Sequence, residues 1–163
     1  MKQEITALSQ ALHDALAGRG KTVGTAESCT GGGVAQAIVA TPGASEYFKG
    51  GIVSYCDEIK ERLLNVSHQT LEEQTAVCED VARQMVAGAC EALQVDYAVA
   101  LTGLAGPGGG TPEIPVGTIW IGYGSKDDIH TLHLTEDFGR EENLERAKAT
   151  AMQLLVGYVN AHE

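Results

Sequence analysis

Thr22-Val23-Gly24-Thr25-Ala26-Glu27-Ser28-Cys29-Thr30-Gly31-Gly32-Gly33-Val34-Ala35-Gln36-Ala37-Ile38-Val39 is the stretch on which the fold turns. Thr22 to Ala26 is short and β-prone, Val34 to Val39 is helix-compatible, and three glycines stand between. The run reads as strand, turn and helix. Ser28 then sits where the first N–H groups of a helix have no partner and the helix dipole favours negative charge, a setting for a phosphate or a nucleophile. The plainer alternative is that Ser28 or Thr30 only caps the helix. Known glycine motifs do not fit: the Lys of a P-loop and the spacing of a dinucleotide fingerprint are missing. Ala26 and Thr30 also stand where the nucleophile elbow of α/β-hydrolases has glycines.

Outward from this unit, helices and strands alternate. Ile5, Leu8, Leu12, Ala15 and Leu16 mark one face of a helix that Gly18 and Gly20 end. After a turn at Thr41 to Ala44, Ile52 to Tyr55 is a strand entered through Gly50-Gly51, and Asp57 caps a short helix carrying Lys60, Leu63 and Leu64. Glu79 to Leu93 is an amphipathic helix, Val95 to Leu101 a strand, and Thr102 to Gly110 a loop whose glycines preclude regular structure. Val116 to Tyr123 and Ile129 to Leu134 flank Gly124 to Asp128 as a hairpin with a longer loop, and a helix from Glu141 to about Asn160 closes the chain. The expected fold is α/β: one layered domain, residues 1–163, with a largely parallel sheet, helices on both faces and an antiparallel hairpin.

The 163 residues suit one core. Acidic residues outnumber basic ones 22 to 11, giving a net charge of -11 that opposes direct nucleic-acid binding. Aromatics at 5% argue against a base-stacking platform. Glycine is the excess, 20 residues where average usage predicts about a dozen. Fifteen of them lie between Gly24 and Gly51 or between Gly103 and Gly124, so open backbone is demanded in two places. The four cysteines form no C-x-x-C pair and no zinc-like His spacing accompanies them, so neither a metal nor a cofactor is expected. The N-terminus has no signal-like pattern and no apolar run reaches a membrane span of about 20 residues. These features imply a cytoplasmic protein with reduced thiols and no membrane partner.

Tyr55 and Lys60 make a second candidate. A lysine with a lowered pKa can take a serine proton, sometimes through a tyrosine hydroxyl, whereas the plainer reading is a solvated Lys60 paired with Glu58 or Glu61. The loop from Thr102 follows a strand, where open α/β sheets bind ligands, and its N–H groups suit an oxyanion or a phosphate. The alternative there is a flexible connection. Arg140 is a candidate for a phosphate, and Glu27 for orienting a polar or cationic group. The five histidines are scattered, and Cys29 has no partnering His motif.

Thr25-Ala26-Glu27-Ser28-Cys29-Thr30-Gly31-Gly32, Pro42-Gly43-Ala44-Ser45, Gly50-Gly51-Ile52-Val53-Ser54-Tyr55 with Lys60, Thr102-Gly103-Leu104-Ala105-Gly106-Pro107-Gly108-Gly109 and Pro115-Val116-Gly117-Thr118 together resemble the CinA C-terminal domain family. The resemblance implies a metal-free amidohydrolase that converts nicotinamide mononucleotide to nicotinate mononucleotide and ammonia in pyridine nucleotide recycling. It implies Ser28 as nucleophile, Lys60 as its base and Tyr55 as a hydroxyl that relays or positions the proton. Glu27, Thr30, Gly31, Gly32, Ser45, Thr102, Gly103, Ala105, Gly106, Gly108 and Arg140 would line the substrate site. A homo-oligomer, a dimer or larger, is also implied. The chain departs from the family at Ile114, where Lys is common, at Thr75-Ala76-Val77-Cys78, where Gly-Ala-Val-Ser is common, and at Leu144, often Arg. These departures bear on phosphate binding, and they keep open a second reading, a catalytically weak or inactive nucleotide-binding or regulatory module.

Overall fold

The computed structural model describes residues 2–163. Along the chain run α1 (Lys2–Leu16), β1 (Val23–Glu27), α2 (Gly33–Val39), β2 (Phe48–Val53), α3 (Asp57–Leu64), α4 (His68–Gln74), α5 (Glu79–Leu93), β3 (Tyr97–Gly103), β4 (Ile119–Ser125), β5 (Asp128–Leu134) and α6 (Arg140–His162). The sheet order is β2-β1-β3-β4-β5. β1 pairs parallel with both β2 and β3, and β4 pairs antiparallel with both β3 and β5, so four strands run one way and β4 alone reverses.

Alternation along β3 divides the molecule into layers. Tyr97, Val99 and Leu101 enter a core shared with α1, α2 and α6. Ala98 and Ala100 enter the opposite one, built on Val81, Met85, Val86 and Ala89 of α5 and Leu64 of α3. On this second face, glycines replace bulk. A Cβ on Gly88 would lie 2.0 Å from the Leu64 carbonyl oxygen, and one on Gly122 would lie 2.7 Å from that of Ala82. α5 therefore packs close to both α3 and β4.

Four local expectations change. β2 begins at Phe48, paired with Val23, so Gly50 and Gly51 lie inside the strand. A Cβ on Gly51 would meet Thr25 Oγ1 at 2.3 Å, so the glycine there follows from strand packing rather than strand entry. α4 is absent from the sequence reading because His68-Gln69-Thr70-Leu71-Glu72-Glu73-Gln74 carries no apolar period. It starts instead on a cap, with Ser67 Oγ accepting from the Thr70 N–H at 3.2 Å. The hairpin turn is tight, with Ser125 opposite Asp128, and Tyr158 of α6 holds it, its hydroxyl 2.7 Å from the Asp128 carboxylate and 3.2 Å from Ser125 Oγ. Finally, Asp57 does not cap α3: Cys56 holds the N-cap position and Asp57 is the first helical residue.

Candidate active site

Chain direction sets the location. β1 has β2 on one side and β3 on the other, so its carboxyl end opens at the switch point of the sheet, where α/β folds bind ligands. β1 ends in Glu27, whose buried carboxylate turns under α2 and accepts from Val34 N at 2.8 Å, Ala35 N at 2.9 Å and Thr30 Oγ1 at 2.6 Å. It accepts from two N–H groups in the first turn of the helix, which otherwise lack partners, and from the Thr30 hydroxyl in the turn before it. Ser28 follows, its N–H donating to Leu101 O at 3.0 Å and its carbonyl accepting from Gly31 N at 3.0 Å. The chain then turns through Gly31 (φ +58°) and Gly32 (φ +100°), a left-handed path that glycine takes at no steric cost.

Lys60 reaches this point from the other face. It is 1% exposed, and its Nζ lies 3.1 Å from Ser28 Oγ and 2.9 Å from Ser54 O. Ser54 is itself fixed, its N–H donating to Glu27 O at 2.8 Å. Burial pushes the Lys60 amine below its ordinary value, while the Asp57 carboxylate, 4.0 Å away, pulls the other way. The solvated pairing is not what forms: Glu58 bonds Arg62 and Glu61 bonds His68. Burial likewise raises the Cys29 thiol to about 11, which leaves it protonated at neutral pH and a poor nucleophile.

Ser28 opens on a cleft of about 250 Å3 whose other wall is the loop after β3, from Gly103 to Gly106 with Gly108, and whose rim carries Tyr55 and Arg140. Gly103 has no room for a side chain, since a Cβ would lie 2.7 Å from both Ile119 Cα and Thr118 O. The N–H groups of Ala105, Gly106 and Gly108 donate to no backbone acceptor among the described residues. The loop is pinned from α6: Arg140 donates to Gly106 O at 2.9 Å, and Asn143 Nδ2 donates to Ala105 O at 3.1 Å and Asp137 Oδ1 at 2.9 Å. Asn143, only 2% exposed, is a site residue that the sequence does not reveal. A lone Asn inside a helix carries no spacing signal, and only the fold brings it under the loop. Among the described residues, no three His, Cys, Asp or Glu side chains gather as a metal would need.

Several predicted residues lie elsewhere. Glu27, Thr30, Gly31 and Gly32 build the turn beneath Ser28 rather than lining the cleft. Thr102 is buried and donates its hydroxyl to Ala76 O at 2.8 Å. Ser45 lies in the 3-10 turn Ala44–Glu46 that leads into the start of β2, at the opposite end of the strands from Ser28. Tyr55 is 64% exposed, and its hydroxyl makes no hydrogen bond with Ser28 or Lys60. Thr75 and Ile114 line a second cavity of about 280 Å3 with Ala76, Val77 and Leu104, and Leu144 lines neither.

A Ser–Lys pair facing an open glycine loop at the switch point of a doubly wound sheet defines an α/β protein equipped for nucleophilic chemistry on a small ligand. The particular kind follows from its relatives. The sequence profile of the CinA C-terminal domain matches residues 5–159, and the chain belongs to that family. It is 41% identical over 151 residues to the nicotinamide-nucleotide amidohydrolase PncC of Escherichia coli K12, covering 93% of this chain and 91% of that protein. It is 48% identical over 112 residues to a CinA-like protein of Leptospira borgpetersenii, and that match spans 69% of this chain but 27% of the longer protein. Among solved structures, a competence/damage-inducible protein of Agrobacterium tumefaciens superposes with a TM-score of 0.92 at 34% identity, over 95% of both chains.

Proposed function

We propose that residues 1–163 act as one amidohydrolase unit that hydrolyses the carboxamide of nicotinamide mononucleotide to nicotinate mononucleotide and ammonia. The observation that carries this reading is the 3.1 Å approach of the buried Lys60 Nζ to Ser28 Oγ. The neutral amine takes the hydroxyl proton as Oγ attacks the amide carbon, and the N–H groups of Ala105, Gly106 and Gly108, which donate to no backbone acceptor among the described residues, are available to the developing oxyanion. The C–N bond then breaks, the ammonium of Lys60 returns its proton to the leaving nitrogen, and ammonia departs from an ester on Ser28. Water attacks that ester, losing a proton to Lys60; the bond between the acyl carbon and Ser28 Oγ then breaks, Lys60 returns the proton to Oγ, and nicotinate mononucleotide leaves as the acid and ionises to the carboxylate. Arg140 takes the substrate phosphate. Tyr55, whose hydroxyl is unbonded, serves as a wall of the substrate pocket and reaches the proton path only once substrate is bound. The reading extends to a cytoplasmic homo-oligomer in pyridine nucleotide recycling.

Ammonia release from nicotinamide mononucleotide by the purified chain tests this directly. Ser28→Ala and Lys60→Ala each lower kcat by about a thousandfold or more. Equal rates in all three proteins overturn the assigned roles. Tight nucleotide binding in calorimetry with no ammonia released would instead make the cleft that of a binding module.

A further inference from the structure

Asp57 stands in the first turn of α3, where its charge suits the helix dipole, but its carboxylate accepts no hydrogen bond among the described residues. Cys56 holds the N-cap of α3, and no side-chain hydrogen bond caps the helix there. The Asp57 side chain remains 57% exposed, with Oδ1 4.0 Å from Lys60 Nζ. Among the described residues it is the one carboxylate within ion-pair reach of that amine. The other groups facing Nζ are the Ser28 hydroxyl and the Ser54 carbonyl, with the Cys29 and Cys56 thiols nearby. Glu27 is spent on α2, and Glu58 and Glu61 are spent on Arg62 and His68.

We propose that Asp57 is a positioning residue for Lys60: its carboxylate, 4.0 Å from Nζ, favours the ammonium form and so raises the pH above which the amine can accept the Ser28 proton. The inference rests on the function proposed above. Burial alone leaves a lysine readily neutral, and a half-exposed charge at 4.0 Å opposes this only in part because water screens it. The cleft therefore carries a base whose working range is lowered by burial and brought partly back up by one surface carboxylate. Removing that charge leaves every hydrogen bond to Nζ in place.

The test joins two measurements on Asp57→Asn, with Asp57→Glu as the charge-keeping control. The Lys60 ε-CH2 signal, assigned by its loss in Lys60→Met, is titrated by NMR in the ligand-free protein, and kcat/KM for nicotinamide mononucleotide is followed against pH. Asp57→Asn moves the NMR midpoint and the acid limb of the rate profile down together, by about half to one pH unit. On the acid side of the wild-type limb it is about three- to tenfold faster than wild type. Asp57→Glu keeps the wild-type midpoint to within a few tenths of a unit. An unmoved NMR midpoint, or a uniform loss of rate at every pH with no shift, overturns the proposal. A shifted NMR midpoint with an unshifted rate limb leaves the hold of Asp57 on the amine measured and overturns the role of Lys60 as base, so the two failures are distinct.

Discussion

Thr75 shows what a single departure from a family pattern costs. Its backbone sits at φ +66°, ψ 176°, a region occupied almost only by glycine, and glycine is the residue the family resemblance sets there. Strain of this kind costs about 1–3 kcal/mol. The Thr75 hydroxyl returns part of it by accepting from Val77 N at 3.2 Å. Thr75→Gly is expected to stabilise the protein by about 1 kcal/mol in urea unfolding, the relieved strain outweighing that bond and the extra freedom of glycine in the unfolded chain. A loss of stability would mean the hydroxyl contact dominates. Ser28 and Lys60 illustrate the opposite case: their types were readable as a nucleophile and a base, but a lone lysine in Asp57-Glu58-Ile59-Lys60-Glu61 is equally a solvated one. Only the approach of α3 to the end of β1 separates the two.

Among the elements, α5 is the best read from sequence, with the expected Glu79 to Leu93 matching the observed span. Its apolar period is unbroken, with Val81, Ala82, Met85, Val86 and Ala89 buried along one face. Its start is nonetheless under-capped. Cys78 holds the N-cap position without a side-chain cap bond, although the Asp80 and Val81 N–H groups face its sulfur. Oxygen is the better acceptor at that position, so Cys78→Ser is expected to add about 0.5–1 kcal/mol and raise the melting midpoint by roughly 1–4 °C. An unchanged midpoint in calorimetry would show that the sulfur already satisfies the helix. α4 was not readable, because a short polar helix secured by Ser67 and by packing on α5 has no periodicity to detect. The tight β4–β5 turn is not legible for a related reason: Lys126-Asp127 is no strong turn pair, and Tyr158 holds the turn from a helix distant in sequence.

At the scale of the whole molecule, the buried lysine is a cost carried by the fold. The folded state holds Lys60 below its ordinary 10.5, so between the folded value and 10.5 the unfolded chain keeps a proton that the folded one has lost. Stability therefore rises with pH across that window, and the penalty is fully present below it. Lys60→Met is expected to raise the melting midpoint at pH 7 by a few degrees, the gain shrinking as the pH nears 10.5. A lower midpoint at pH 7 would show that the bonds to Ser28 and Ser54 outweigh desolvation. The glycine excess resolves at this scale too. Gly31 and Gly32 shape the turn after Ser28, Gly88 and Gly122 let layers approach, and Gly103, Gly106 and Gly108 stand in the far wall of the cleft. The sequence by itself determined the α/β class, the main helices and strands, the turn carrying Ser28 and the second glycine loop, because periodicity and turn chemistry are local. Tertiary structure alone decided that Lys60 is buried against Ser28, that Glu27 serves α2, that Asn143 pins the loop and that Ser45 lies at the far end of the strands. These depend on which strand ends share an edge and which helix covers them, relations between residues tens of positions apart that no local pattern encodes.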